Sequence, residues 1–497
     1  MADGYARLTS KPQAVIVHVD VGTQGLGAAV HNASCGRAPV LIFAGLSPYT
    51  IEGEYRGSRT EYIHWIQDVP DQKSIVAQYC RYSGEIKRGK NVKQLVNRAL
   101  TFARSAPAGP AYLVGAREAM EEDIEPYQLK QAHWTPVEPG ALSEKQTHHI
   151  ASLLVEAKEP LLITGYSGRN HDCPAALVDL ANIIKGLRVL ETGGSDMCFP
   201  ADHPAWLGMR YGGEDSVTTA DLIIVLDCDV PWIPTQRMPH DDAKIIHIDI
   251  DPLKQQMPVF YIDAQWRYRA DPETSVRQII AAIENDSELR SQLKSKNVDE
   301  RWDTLQQTYN ARLEEIRRIA KPSADNSISC SHLISRLRAL LPKDAIFAIE
   351  AVTATHFVHD QIQPTLPGSW INCGGGGLGW SGGGALGIKL ATDYEAGGPG
   401  WNAPRKSLLL VHPDGLGSRA TNEELNISFA PTPDYAGIAA AASGHKAWAG
   451  QARTASELDG KLRDAIKAVQ SGVCAVLDAQ LEGPEGKYSG EKAAAMG

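Results

Sequence analysis

The densest run of residues able to do chemistry is Cys373-Gly-Gly-Gly-Gly377-Leu-Gly-Trp-Ser-Gly-Gly-Gly384. It is followed by Ala385-Leu-Gly-Ile-Lys-Leu-Ala391, which reads as a helix. Glycine lets a backbone approach a ligand closely, and the amides at a helix start attract phosphate oxygens. The combination points to a cradle for a phosphorylated cofactor. Gly377-Leu-Gly379-Trp-Ser-Gly382 also spells G-x-G-x-x-G, a weak signal on its own. Its usual setting is incomplete. Ser369-Trp-Ile-Asn372 is a poor strand, and no acidic residue follows a second strand about twenty positions on. A plain glycine-rich turn between elements is the alternative.

Other candidate chemistry is sparse. Val411-His-Pro-Asp414-Gly415 imitates a metal-binding turn after an apolar run. Asn422 and Asn426 follow too soon for a helix and strand to intervene, so no metal ligand is assigned. His412 and the other histidines form no i, i+4 pair and no clustered ligand set, and they are expected at ordinary polar positions. The eight cysteines are scattered singly without a C-x-x-C pair, which argues against a zinc site or a disulfide framework.

The elements that must position these residues are read from periodicity. Short apolar runs at Ala14–His18, Val40–Ala44, Ala111–Val114, Leu161–Thr164, Leu222–Leu226, Ile245–Ile248, Ile346–Ile349, Ser407–Val411 and Cys474–Leu477 predict buried strands. Helical patterns separate them, so the expected class is α/β with doubly wound parallel sheets covered on both faces. The acidic, proline-bearing stretch Glu121–Pro139 reads as a linker. Residues 286–325 read as a charged connecting helix ending at Lys321-Pro-Ser323. Three domains are expected, over 1–128, 146–285 and 326–480. The 497 residues carry a net charge of −10, with 43% hydrophobic and 22% charged content. That balance offers no basic patch for nucleic acid or an anionic membrane. No apolar stretch is long enough to span a bilayer, and no secretory signal is present, so the expected location is cytoplasmic.

Several separated segments, taken in order, resemble the thiamine-diphosphate-dependent enzymes of the acetolactate synthase-like superfamily, which also includes benzoylformate decarboxylase and 2-hydroxyacyl-CoA lyase. Met1-Ala-Asp-Gly-Tyr-Ala-Arg7, Gly22-Thr-Gln-Gly25, His31-Asn-Ala33 and Arg37–Gly45 resemble the pyrimidine-binding domain. Leu161–Gly165, Ala220–Val225 and His247-Ile-Asp-Ile-Asp251 resemble the central domain. Glu350-Ala-Val-Thr353 and the glycine-rich run resemble the start of the diphosphate-binding domain.

The resemblance implies carbanion chemistry on 2-keto acids or related acyl donors, with thiamine diphosphate and Mg²⁺ as cofactors, by a lyase or transferase. It places Val352, Thr353, Gly376 and Gly377 along the diphosphate. Leu378 takes the position of the apolar prop that bends the cofactor. Gln67, in His64-Trp-Ile-Gln67-Asp68, falls where some members keep a substrate-side polar group. A homodimer or homotetramer would follow.

Two family features are not matched. The activating glutamate lies upstream of the segment matching Met1–Gly4. The Gly-Asp-Gly turn and Asn-Asn that bind magnesium have no counterpart around Gly400–Trp401. The first and third domains are therefore expected to be incomplete, and no catalytic residue is assigned. Two further readings stand beside this one: a non-catalytic nucleotide-binding or regulatory homologue, and an NAD-dependent oxidoreductase using Gly377–Gly382.

Overall fold

Most of the apolar runs become strands of parallel sheets in a computed structural model that describes residues 1–295, 298–395 and 434–481. The chain divides into two compact units. The first holds Met1–Pro139, Ala348–Glu350 and the chain from Ile371 through the glycine-rich run and the helix after it. The second holds Gly140–Phe347, Ala351–Trp370 and residues 434–481.

In the first unit, β1 (Gln13–Val17), β2 (Val40–Leu46), β3 (Tyr82–Ile86) and β4 (Ala111–Ala116) form a parallel sheet in the order β1-β2-β4-β3. The register sets Gln13 against Val40 and Leu41 against Ala111. β4 is buried along its whole length, as expected for a central parallel strand that packs on both faces. Val40, Ile42, Tyr112 and Val114 meet Ala6, Val30 and Ala33 in one core. Each such Val or Ile contributes about 1.5–3 kcal/mol by leaving water.

In the second unit, β5 (Pro160–Thr164), β6 (Arg188–Glu191), β7 (Trp206–Met209), β8 (Leu222–Leu226), β9 (Lys244–Asp249) and β10 (Trp266–Arg269) form a six-stranded parallel sheet. Their order is β10-β9-β8-β5-β6-β7. Local signals start its helices. Ser143 and Gln146 form a reciprocal capping box before Glu144–Glu156, and Asp271 caps Pro272–Asn285 by accepting from Thr274 N at 2.8 Å. The charged stretch expected as one connecting helix is two, Ser287–Ser295 and Val298–Ile319.

Two smaller pairs follow: β11 (Phe347–Ile349) with β12 (Trp370–Asn372), and β13 (Trp448–Ala452) in parallel with β14 (Ala475–Ala479). β12 corrects the reading of Ser369–Asn372 as a poor strand. Pairing with β11 and burial of Trp370, whose indole N–H donates to Gly194 O at 2.8 Å, override its weak local pattern. β3 and β10 gave no apolar signal because they are edge strands, Tyr82–Glu85 half-buried and Trp266-Arg-Tyr-Arg269 alternating with solvent. The interior β6, Arg188-Val-Leu-Glu191, and the buried edge strand β7, Trp206-Leu-Gly-Met209, are only four residues long and too mixed to form an apolar run. The Ser407–Val411 run lies outside the described residues. Among the described residues no helix is long and apolar enough to cross a membrane.

Four helices bear on the site: α1 (Ala2–Thr9), α2 (Gly27–Cys35), α3 (Thr355–Ile362) and α4 (Trp380–Glu395). α3 belongs to the second unit and the other three to the first.

Candidate functional site

The glycine-rich run sits in the first unit, between β12 and α4, and its glycines do two different jobs. A Cβ on Gly374 would lie 2.3 Å from Asn32 O, one on Gly375 2.8 Å from the His31 ring, and one on Gly377 2.7 Å from Asn32 Nδ2. These three are glycine because the segment lies directly against α2. Gly376 and Gly379 have φ of +70° and +92°, with nothing within 4 Å of an added Cβ. They are glycine for the turn, and they leave the backbone open on that side. Further along, Gly384 and Gly387 admit α1: a Cβ on Gly4 would lie 2.2 Å from Gly384 O, and one on Gly387 1.9 Å from Met1 O. Arg7 of α1 donates to Asn372 O and stands 5.6 Å over the Trp380 ring.

Two buried side chains grip the run. Asn32 accepts from Gly375 N at 2.8 Å and donates from Nδ2 to Gly377 O at 3.0 Å. Glu350, at the end of β11, accepts from Gly379 N at 2.5 Å and from Ser381 N at 2.6 Å. The Glu350 carboxylate thus takes amides at the start of α4, where a helix leaves donors unpaired and its dipole favours a negative charge. Burial, and then the Glu350 charge, push the Cys373 thiol pKa up. Leu378, between the two grips, is 68% exposed.

This arrangement bears on the dinucleotide reading. A pyrophosphate at the start of α4 would have to displace Glu350 from the amides it already occupies. Neither Asn32 nor Glu350 was singled out for this role in the sequence. The only visible signal was the position of each inside a segment resembling the family.

Val352 and Thr353 lie in the second unit, both exposed, in the turn before α3. That helix has no side-chain cap at its N-terminus; its Thr355 amide donates to Val352 O at 3.4 Å, and no side chain caps the amides that follow. α3 is anchored from its buried side. Asp360 takes two bonds from Arg210, at 3.0 and 3.1 Å, and Gln361 donates to Ile316 O at 2.9 Å. His359 Nε2 lies 3.5 Å from Glu191 Oε2, both side chains fully buried. Burial raises the Glu191 pKa to about 7, while burial and then Arg210 lower that of His359 to about 3. His359 and the fully buried His247 correct the expectation that the histidines occupy ordinary polar positions. They pack where the fold excludes water, which a scattered spacing does not reveal.

Gln67 follows the short helix Ile63–Ile66 in the long connection from β2 to β3, and it is buried. Among the described residues no hydrogen bond joins it to the glycine-rich run. At the carboxyl ends of the second unit's strands, Lys254 bridges Asp229 at 2.8 Å and Asp249 at 2.5 Å. Asp414 and the break near 400 lie outside the described residues. Among those described, no group of three His, Cys, Asp or Glu could hold a metal ion.

Each unit, taken by itself, offers one surface suited to a ligand group. In the first unit, the open glycine face beside exposed Leu378 suits a flat ring. In the second, the uncapped start of α3 beside Val352 and Thr353 suits a charged tail.

Known proteins match the chain in two of its segments. Residues 1–75 match the family described as "Thiamine pyrophosphate enzyme, N-terminal TPP binding domain". Residues 147–262 match "Thiamine pyrophosphate enzyme, central domain". The chain is 22% identical over 420 residues to a probable acetolactate synthase large subunit of Methanocaldococcus jannaschii, covering 79% of this chain and 65% of that protein. It is 22% identical to 2-hydroxyacyl-CoA lyase 2 of Danio rerio over 456 residues, 83% of this chain and 67% of the relative. The chain therefore spans about two thirds of the length of these relatives. Benzoylformate decarboxylase from Polynucleobacter necessarius superposes with a TM-score of 0.71 at 17% identity, covering 97% of this chain and 90% of that one. A thiamine diphosphate-dependent 4-hydroxybenzoylformate decarboxylase of Rhodococcus jostii RHA1 gives 0.69 at 20% identity, covering 96% and 89%. At these identities the superpositions establish a shared fold, an α/β arrangement of parallel sheets. Residues 1–75 and 147–262 thus carry the N-terminal and central domains of thiamine pyrophosphate enzymes, and the chain is a homologue of acetolactate synthases and 2-hydroxyacyl-CoA lyases.

Proposed function

We propose that this protein binds thiamine diphosphate with Mg²⁺ and makes or breaks carbon–carbon bonds beside a carbonyl, as a lyase or transferase acting on 2-keto acids or related acyl donors. The observation that carries the reading is Leu378, an exposed apolar side chain set on an open glycine face whose backbone is held from below. When bound, the cofactor supplies an electron sink for the acyl carbon. The chain's own residues bind and orient. In the second unit, the amides at the start of α3 and the Thr353 hydroxyl meet phosphate oxygens, and Val352 lines them. In the first, the backbone of Gly376 and Gly377 lines the diphosphate, open at Gly376, and Leu378 supports the ring. Gln67 offers a polar group on the substrate side. Assembly as a homodimer or homotetramer belongs to the same proposal.

Calorimetric titration of the chain with thiamine diphosphate, with and without Mg²⁺, tests the reading. Saturable, Mg²⁺-dependent binding is expected. No binding at millimolar cofactor sinks the proposal and leaves a non-catalytic homologue. The reaction class is then read by chromatography of products after incubation with pyruvate, benzoylformate or a 2-hydroxyacyl-CoA.

A further inference from the structure

We infer that Asn32 and Glu350 are positioning residues, a pair of buried clamps that hold the glycine-rich turn so that Leu378 is presented outward. The inference rests on the function proposed above for Leu378, but the clamps themselves lie wholly within the first unit.

Glycines lose more conformational freedom on ordering than any other residue, so a run such as Gly374–Gly377 does not hold one shape unaided. Here the shape is imposed from outside the run. Asn32 grips both sides of Gly376, taking the amide before it and the carbonyl after it, which sets the turn where φ is +70°. The same Nδ2 also reaches Ala28 O at 3.2 Å, so the side chain is tied to its own helix as well. Glu350 grips the other side of Leu378 through the amides of Gly379 and Ser381. Both clamps are buried, Asn32 at 2% and Glu350 at 7% exposure, so water competes little with these bonds. Bonds from amides to a carboxylate are also stronger than neutral ones. Leu378 is the residue between the two grips, and it is the one that points into solvent.

A capping role for Glu350 alone would steady α4 without regard to Leu378. The two roles separate in ligand discrimination. A clamp on Leu378 bears on the ring portion of the cofactor and leaves the binding of pyrophosphate unchanged. A general loss of structure weakens both ligands alike.

The test compares wild type with Glu350→Gln and Asn32→Asp. The first keeps the shape of the side chain and sets an amide N–H against a backbone N–H. The second keeps the acceptor for Gly375 and turns the donor to Gly377 O into an oxygen. Hydrogen exchange of the ligand-free proteins is measured over residues 374–382. Calorimetry with thiamine diphosphate and with inorganic pyrophosphate, each with Mg²⁺, follows. Exchange over this stretch is expected to rise at least about tenfold in both variants, with other segments unchanged. Thiamine diphosphate affinity should fall about tenfold while pyrophosphate affinity stays within about twofold. Unchanged exchange in both variants overturns the inference, as does equal weakening of the two ligands. A wild-type chain that binds no thiamine diphosphate refutes the proposed function instead, and the exchange comparison alone then decides whether Asn32 and Glu350 hold the turn.

Discussion

Leu378 and Glu191 show how far the surroundings of a side chain set what it does. Leu378 faces solvent, so its removal costs the fold little. Leu378→Ala is expected to change unfolding free energy by less than about 0.5 kcal/mol, as for other surface positions. Thiamine diphosphate affinity is expected to fall about tenfold, roughly 1.4 kcal/mol. Urea unfolding and calorimetry on the same preparations check both halves. Glu191 is the reverse case, fully buried beside His359 with its pKa raised to about 7. A carboxyl whose pKa is raised on folding keeps its proton in the native state. Its contribution is complete below the ordinary pKa, and it is lost as pH rises from about 4.5 to about 7. His359, with its pKa lowered to about 3, works in the opposite sense: its contribution is lost as pH falls from 6.5 toward 3. Between pH 4.5 and 6.5 the two slopes oppose each other. Glu191→Gln removes only the falling one, so the variant should gain stability relative to wild type as pH rises through that window. Denaturant midpoints at half-unit pH steps would expose the difference, and parallel curves would refute it.

At the scale of elements, the closest fit in the first unit is between α1 and α4, where Gly4 faces the Gly384 carbonyl. A methyl group there has only 2.2 Å from its carbon to that oxygen, and the obstacle is backbone. Gly4→Ala is therefore expected to separate the helices and destabilise the protein by about 1–3 kcal/mol despite the better helix propensity of alanine. A thermal midpoint at or above that of wild type would contradict this packing. α3 is held differently, by the Arg210–Asp360 pair and by His359 beside Glu191, with polar groups replacing small residues as the anchor. The Val352–Thr353 turn rests on that anchored helix within the same unit.

At the scale of the whole molecule, the chain passes between its units along an exposed stretch. The first crossing falls between Pro139 and Gly140, and residues 121–139 are mostly exposed with a single short turn of helix at Gln131–His133. Such segments are preferred sites of nicking, because little structure must open to admit a protease. Limited trypsin digestion is expected to cut first at Lys130, with mass spectrometry identifying the new ends. First cleavage inside the six-stranded sheet would contradict the division.

The residue pattern alone determined the α/β class and most central strands, because a parallel strand packed on both faces is usually an unbroken apolar run, as Leu222–Leu226 is; the interior Arg188-Val-Leu-Glu191, charged at both ends, is the exception. Edge strands such as Tyr82–Ile86 escaped notice because solvent on one side relaxes that demand. The family was legible in the order of the segments, and the glycine-rich run stood out by composition. What composition could not tell was which glycines serve packing and which face open space. That was decided by the approach of α2 to Gly374, Gly375 and Gly377. Nor could it show that the amides at the start of α4 are already taken. The partners that hold the run lie far from it in the chain: Asn32 is 345 positions from Gly377. Glu191 and His359, also distant in sequence, meet in a water-free interior. Spacing reports on neighbours within one helix or strand, and only folding brings such distant side chains together.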